Sequence, residues 1–208
     1  MTKRKNVDDV TSNIPGSDGQ SRKYGMSTLA VHAGARPDPV TGARGTPIYQ
    51  TTSFVFDDAE HGAELFNLQT FGYVYSRMTN PTVSVFEERV AQLEGGRGAV
   101  ATSSGHAAQF IAAATLMEAG DEFIASRNLY GGSVTQFGVS FPKLRWKCNF
   151  VDPTDPANFE KAMNDKVKFI FCEGVANPGG IILDLEKIAD IAHKNGVLLI
   201  VDNTLASP

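Results

Sequence analysis

The segment at residues 197–202 is a run of five apolar residues, Val-Leu-Leu-Ile-Val, that ends in the carboxylate of Asp202. A short continuous apolar run is typical of a strand buried on both faces, as inner strands of parallel sheets are. Asp202 then lies at the carboxyl end of the strand, which is the edge where open α/β sheets bind their ligands. We therefore expect Asp202 to meet a cationic group at that edge.

Strand-like and helix-like segments alternate along the second half of the chain. The predicted strands span residues 98–102, 122–126, 146–150, 167–172 and 197–201, and the predicted helices between them span 105–118, 131–139, 156–163 and 185–194. An earlier helix is predicted to be capped by Asn80, to carry Pro81 at its first position and to end at Gly95. This alternation predicts an α/β fold with a mostly parallel, doubly wound sheet and helices on both faces.

Two further stretches precede this domain, which we place at residues 80–208. Residues 1–26 mix basic residues with aspartate, serine and glycine, and we predict a disordered lead-in there. Residues 27–79 are broken by prolines and glycines and show no persistent periodicity. We interpret them as an extended N-terminal arm that makes subunit contacts, with an ordinary loop at the domain edge as the alternative.

Composition excludes several classes of function. A net charge of −4 gives no electrostatic reason to expect nucleic acid or an anionic membrane as a partner. No apolar run approaches the roughly 20 residues that a membrane-spanning helix requires. Cys148 and Cys172 lack both CxxC spacing and a partner set for a metal, so we expect no metal site and a reducing, cytoplasmic location.

Several residues whose side chains or backbone groups could bind a ligand follow the predicted strands at the same edge as Asp202. Gly105 and His106 open a helix directly after a strand, where free backbone N–H groups favour an anion such as phosphate. Tyr130 follows the strand at 122–126, and its ring can stack on a flat ligand. Glu173 and Asn177 follow the strand at 167–172. For each residue alone, a structural role without a ligand is the alternative.

Tyr75 and Arg77 precede the predicted cap at Asn80. A guanidinium group pairs well with phosphate oxygens, although an arginine packed over a tyrosine on the surface is the simpler alternative. Neither a P-loop nor a G-x-G-x-x-G motif is present, which disfavours nucleotides. A phosphate site, a stacking ring, an amide and a carboxylate at one sheet edge fit pyridoxal 5′-phosphate (PLP), because a carboxylate beside the pyridine nitrogen keeps the ring protonated.

These motifs resemble those of the PLP-dependent enzymes of cysteine and methionine metabolism, the trans-sulfuration family. The resemblance is carried by Tyr75-Ser76-Arg77 with Asn80-Pro81-Thr82, Ser103-Ser104-Gly105, Leu129-Tyr130-Gly131-Gly132, Glu173 with Asn177-Pro178, and Val201-Asp202-Asn203-Thr204. It implies the large domain of the fold-type I, aminotransferase-like architecture. Residues 42–54 and 57–61 are most similar to the O-acetylhomoserine sulfhydrylase branch of the family.

The resemblance implies a role for eight residues at the PLP site. Tyr75 and Arg77 of a neighbouring subunit would contact the phosphate, together with the N–H groups of Gly105 and His106. Tyr130 and Thr204 would contact the two ring faces. Asn177 would lie near the 3′-oxygen, and Asp202 would bind the ring nitrogen. Tyr130 is also the implied catalytic residue. His106 departs from the family, in which Met or Gln is common at this position.

The implied reaction is a γ-replacement on O-acetylhomoserine, in which sulfide or methanethiol displaces acetate to give homocysteine or methionine. A methionine or cystathionine γ-lyase and a cystathionine γ-synthase are the alternatives within the family. Family members are homotetramers, built as dimers of dimers, and act on small amino-acid substrates. The family's Schiff-base lysine is not in this chain, so we expect the chain alone to be inactive, and a catalytically inert fragment is the alternative of a different class.

Overall fold

The computed structural model describes residues 12–15 and 21–208, and the chain divides into two compact units after Ala101. The first unit contains an antiparallel strand pair and three helices. Their bounds are β1 Ser12–Pro15, β2 Ser21–Tyr24, α1 Met26–His32, α2 Ala59–Phe66 and α3 Pro81–Glu94. Strands therefore occur within the stretch predicted to be disordered, while residues 1–11 and 16–20 of that stretch lie outside the described residues.

Helix α3 has the ends that its sequence predicts. The Asn80 side chain accepts a hydrogen bond from the N–H group of Thr82 at 2.9 Å, and Gly95 closes the helix in the left-handed conformation at a φ of 64°. Helix α1 packs on α3, where the Nε atom of Arg89 donates to the carbonyl oxygen of Ala33 at 3.0 Å. The division after Ala101 thus leaves α3 in the first unit, whereas the predicted boundary lies at 79/80.

The sequence shows no persistent periodicity in residues 27–79 and so gives no indication of α1 and α2. Both helices are short, with 7 and 8 residues, so neither is long enough to show a clear helical period. Helix α2 is nevertheless capped, because the Asp58 side chain accepts from the N–H group of His61 at 2.8 Å. An edge-to-face contact between Phe56 and Phe66, with ring centroids 6.0 Å apart, supports the same helix.

The predicted strand at 98–102 is also wrong, because that segment has no strand conformation in the structure. A strand needs a hydrogen-bonded neighbour, and the segment has none among the described residues. The N–H group of Ala101 donates instead to the carboxylate of Glu87 at 2.7 Å.

The second unit, Thr102–Ser207, contains a four-stranded parallel sheet in the order β4-β3-β5-β6. Its strands are β3 Glu122–Ser126, β4 Lys147–Val151, β5 Val167–Glu173 and β6 Leu198–Asp202. Its helices are α4 Gly105–Leu116, α5 Gly131–Thr135, α6 Ala157–Lys161 and α7 Leu185–Lys194. A π-helical turn and a 3₁₀ turn extend α5 to Leu144. The predicted parallel sheet is confirmed.

Alternate residues of the central strands point into two separate cores. Phe123 of β3 stacks on Phe169 of β5, with ring centroids 4.7 Å apart, in a core that α4 and α5 cover. Their neighbours Ile124 and Ile170 point to the opposite face, where α6 and α7 cover them. Each fully buried side chain of this size contributes about 1.5–3 kcal/mol to folding. Helices therefore lie on both faces of the sheet, as the sequence predicts.

No helix in the described ranges 12–15 and 21–208 is both long enough and apolar enough to cross a membrane.

Candidate active site

The carboxyl ends of β3, β5 and β6 border an open pocket of about 310 Å³ in the second unit. Register brings the two acidic strand ends together, because Glu173 of β5 pairs with Asp202 of β6. The N–H group of Gly174 donates to the carbonyl oxygen of Asp202 at 3.1 Å. The pocket is lined by Gly105, His106, Gln109, Tyr130, Glu173, Val175, Asn177, Asp202, Thr204 and Leu205.

Asp202 is half-buried, and hydrogen bonds hold both of its carboxylate oxygens. Its Oδ1 atom accepts from the backbone N–H of Thr204 at 3.0 Å and from the hydroxyl of the same residue. Its Oδ2 atom accepts from the Nε2 atom of Gln109 at 3.1 Å. The carboxylate is therefore oriented before any ligand binds.

Glu173 joins two loops at the base of the pocket. It is only 4% exposed, and its Oε1 atom accepts from the N–H group of Tyr130 at 2.6 Å. Its Oε2 atom accepts from the N–H group of Asn177 at 2.8 Å. A buried carboxylate needs such partners, and here they fix the backbone of both pocket residues.

The N-terminus of α4 offers free backbone donors to the pocket. The Ser104 side chain caps the helix by accepting from the N–H group of Ala107 at 3.1 Å. The N–H groups of Gly105 and His106, in the first turn, have no acceptor within the helix. Both residues line the pocket, and a Cβ atom added to Gly105 would meet no atom within 4 Å. The arrangement suits an anion, because the helix dipole adds positive potential there.

The rings of His106 and Tyr130 lie against each other at one side of the pocket. Their centroids are 5.9 Å apart with the planes tilted by 47°, and Tyr130 is 51% exposed. Gly132 makes this contact possible, because a Cβ atom there would lie 2.5 Å from the His106 ring and 2.6 Å from Cε1 of Tyr130. The resemblance implies only a backbone role for His106, and the structure adds a side-chain contact.

The six residues predicted for the site within this unit all line the same pocket: Gly105, His106, Tyr130, Asn177, Asp202 and Thr204. Gln109, Val175 and Leu205 also line the pocket without being predicted from the sequence, and Glu173 has no role among those that the resemblance implies. Gln109 was predictable, because it follows Gly105 by four residues and so shares its helix face. The sequence around Val175 and Leu205 contains no motif that distinguishes these two apolar residues from ordinary core residues.

Tyr75 and Arg77 lie in the first unit. The Cζ atom of Arg77 lies 5.4 Å from the centroid of the Tyr75 ring, which is the packing expected of the simpler alternative. The intervening Ser76 is held in place, because its N–H group donates to the carbonyl oxygen of Thr52 at 2.9 Å and its hydroxyl accepts from Nδ2 of Asn80 at 3.0 Å. The contact of Tyr75 and Arg77 with a phosphate group stays a prediction.

The pocket contains no reactive thiol or lysine. Burial, together with the neighbouring carboxylate of Glu173, raises the pKa of Cys172 to about 12, so this thiol stays protonated and unreactive at neutral pH. Within residues 102–207, no lysine lines the pocket. No group of three or more His, Cys, Asp or Glu residues suited to a metal ion occurs in the part of the chain that the structure describes.

Residues 27–208 match the family model described as Cys/Met metabolism PLP-dependent enzyme. The chain therefore belongs to this family, as its motifs predict. Because the match covers nearly all of the described residues, it includes both units of the structure.

Individual relatives agree with this assignment. The O-acetyl-L-homoserine sulfhydrylase of Leptospira meyeri is 46% identical over 194 residues, which are 93% of this chain and 44% of the relative. The homocysteine synthase of Schizosaccharomyces pombe is 48% identical over 179 residues, which are 86% of this chain and 42% of the relative.

A solved structure described as an O-acetylhomoserine (thiol)-lyase from Campylobacter jejuni gives a TM-score of 0.86 at 36% identity, over 89% of this chain and 45% of that one. That protein carries N′-pyridoxyl-lysine-5′-monophosphate. The likeness confirms the predicted fold class, the large domain of fold-type I PLP-dependent enzymes. The chain spans less than half the length of these relatives.

Proposed function

We propose that the pocket binds PLP and that the intact enzyme catalyses γ-replacement on O-acetylhomoserine, the chain alone being inactive without the family's Schiff-base lysine. Sulfide or methanethiol would displace acetate, giving homocysteine or methionine. One observation carries the proposal: a carboxylate fixed by three hydrogen bonds lies in the same pocket as a helix N-terminus with free N–H donors. The carboxylate suits the pyridine nitrogen of PLP, and the N–H donors suit its phosphate.

The pocket residues fit the cofactor in size and in chemistry. The volume of the pocket, about 310 Å³, lies within the range of about 300–1,000 Å³ that is usual for small-molecule sites. The N–H groups of Gly105 and His106 would bind the phosphate, and Asp202 would accept a hydrogen bond from the protonated ring nitrogen. When bound, PLP supplies an electron sink for negative charge that develops on the amino-acid substrate.

The remaining residues of the pocket would orient the ring and its substituents. Tyr130 would lie on one ring face and act as the catalytic residue, with His106 supporting its phenol ring. Thr204 would lie under the opposite face, and Asn177 would lie near the 3′-oxygen. Glu173 would hold the backbone of both Tyr130 and Asn177 in place.

The proposal extends to the assembly and its location. Tyr75 and Arg77 would reach the phosphate bound by a neighbouring subunit, in a homotetramer built from dimers. Both cysteines are free thiols, which supports a cytoplasmic location. The names of the relatives, sulfhydrylase and homocysteine synthase, support γ-replacement by sulfide over the γ-lyase and cystathionine γ-synthase alternatives.

Product analysis tests the reaction. Because the chain alone is expected to be inactive, a full-length enzyme that also carries the family's Schiff-base lysine is incubated with PLP and O-acetylhomoserine and with sulfide, methanethiol or cysteine in separate reactions. We expect homocysteine with sulfide or methionine with methanethiol, and acetate in equal amount. Cystathionine as the main product with cysteine, or a 2-oxo acid without any added thiol, would contradict the proposed reaction and leave the family assignment intact. PLP binding, measured separately, tests the pocket without requiring turnover.

A further inference from the structure

Gln109 makes a contact that the roles proposed above leave unexplained. It lies on α4, and its Nε2 atom donates to Oδ2 of Asp202 at 3.1 Å and to the hydroxyl of Ser133 at 2.9 Å. Both hydrogens of the amide nitrogen are therefore used. The Oε1 atom of the same amide is buried and has no hydrogen-bond partner among the described residues.

The orientation of this amide follows from its neighbours. In the reversed orientation, Oε1 would face the carboxylate oxygen of Asp202, and two acceptors would meet without a hydrogen between them. A buried carbonyl oxygen without a donor is uncommon in proteins and has a free-energy cost. In the observed orientation, Oε1 lacks a hydrogen-bond donor, and Nε2 donates to Asp202.

The contact also completes the support of the carboxylate. Thr204, which belongs to the loop that follows β6, holds only the Oδ1 atom. Among the described residues, Gln109 alone hydrogen-bonds to Oδ2. Without it, the carboxylate would remain attached at one oxygen and would be free to pivot.

We propose that Gln109 is a positioning residue that holds Asp202 against the ring nitrogen of the bound cofactor; this inference rests on the proposed binding of PLP. Helix α4 would then help to position both the phosphate and the ring nitrogen of the ligand. The first turn of α4 presents the N–H groups of Gly105 and His106, and Gln109 lies one turn further on the same face. Ser133, which is fully buried, fixes the amide from α5.

Binding of two matched ligands tests the inference. The probes are pyridoxine 5′-phosphate, which lacks the aldehyde and so forms no imine with surface lysines, and its 1-deaza analogue, in which carbon replaces the ring nitrogen. Since the two share a phosphate and a ring shape, the ratio of their dissociation constants isolates the contact at the nitrogen. For the wild-type protein we expect about tenfold tighter binding of the pyridine compound, the size expected for a hydrogen bond to a charged group.

Gln109→Leu should reduce that preference to about twofold or less, with the affinity for the deaza analogue unchanged. Gln136→Leu is the matched control, because Gln136 also lies near the pocket with a buried, unpartnered Oε1, but its Nε2 donates to the carbonyl oxygen of His106 at 3.0 Å. It should retain the tenfold preference. Gln109→Met provides the same test if the leucine variant does not fold.

The outcomes separate this inference from the function on which it rests. Equal weakening of both ligands by Gln109→Leu would show a merely structural role and overturn the inference. A wild-type preference that survives Gln109→Leu and Gln109→Met would also overturn it, while the proposed contact of Asp202 would stand. Absence of any preference in the wild-type protein would overturn the contact of Asp202 and the inference together.

Discussion

Glu173 shows how one buried side chain fixes the shape of the pocket. Both of its oxygens accept from backbone N–H groups, one in the loop after β3 and one in the loop after β5. The strands before these loops are paired in the sheet, and the carboxylate adds a link between the loops themselves. Its effect on a ligand is indirect, because it acts through the backbone of Tyr130 and Asn177.

Glu173→Gln should destabilise the second unit by about 1–3 kcal/mol, because the new amide group would direct a donor at a backbone N–H that then lacks an acceptor. Urea denaturation measures the change in the free energy of unfolding. Glu160→Gln is the control, since Glu160 pairs with Lys194 at 2.7 Å on the surface, where ion pairs contribute little. Equal effects of the two substitutions would contradict the role assigned to Glu173.

Gly132→Ala should destabilise the protein by about 0.5–1.5 kcal/mol, because its Cβ atom would lie 2.5 Å from the exposed His106 ring, which must leave its rotamer to make room. The same substitution in a His106→Ala background should cost less, and this difference is the coupling that a double-mutant cycle measures. Gly131→Ala is the matched control, since its Cβ would meet no atom within 4 Å. Identical costs for Gly132→Ala in both backgrounds would show that the imidazole is not the obstacle.

At the scale of elements, the sequence predicts what local chemistry determines. Helix α3 is predictable at both ends, because Asn80, Pro81 and Gly95 are specific end signals. The strands β3, β5 and β6 are predictable from short apolar runs. Residues 98–102, Gly-Ala-Val-Ala-Thr, are predicted as a strand and yet form none, because strand formation depends on a neighbouring strand that local sequence does not encode.

Glu122, at the start of β3, links that strand to β4 and to the turn before β5. Hydrogen bonds from Asn149 and Asn164, together with Lys147, hold the pKa of its carboxyl group below the ordinary value of 4.5. A lowered pKa means that the ionised form stabilises the folded state. This stabilisation is fully present above pH 4.5 and is lost as the pH falls through the lower pKa of the folded state.

Glu122→Gln should therefore lower the free energy of unfolding at pH 7. The difference from wild type should shrink steadily as the pH is reduced below 4.5, where the wild-type carboxylate takes up its proton. Denaturant unfolding at a series of pH values measures both quantities. A difference that stays constant between pH 7 and pH 3 would contradict the ionic role of Glu122.

At the scale of the whole molecule, the sequence predicts which residues share the pocket better than it predicts the packing around them. Strand polarity alone brings Tyr130, Asn177 and Asp202 to one edge, because carboxyl ends of parallel strands coincide. The contacts of Gln109 and Glu173 depend on how helices and loops pack around that edge, and no motif encodes them. The domain boundary, predicted at 79/80, depends in the same way on the packing of α3 against α1.

The central claim is that Asp202 binds the ring nitrogen of PLP in this pocket. Calorimetric titration of the protein with pyridoxine 5′-phosphate tests it most directly, with Asp202→Asn compared against Asp190→Asn, a substitution at an exposed aspartate of α7. We expect one binding site in the wild-type protein. The affinity should fall by about tenfold or more in Asp202→Asn and should not change in Asp190→Asn. Equal affinity of the Asp202→Asn variant and the wild-type protein, or no binding by either, would contradict the claim.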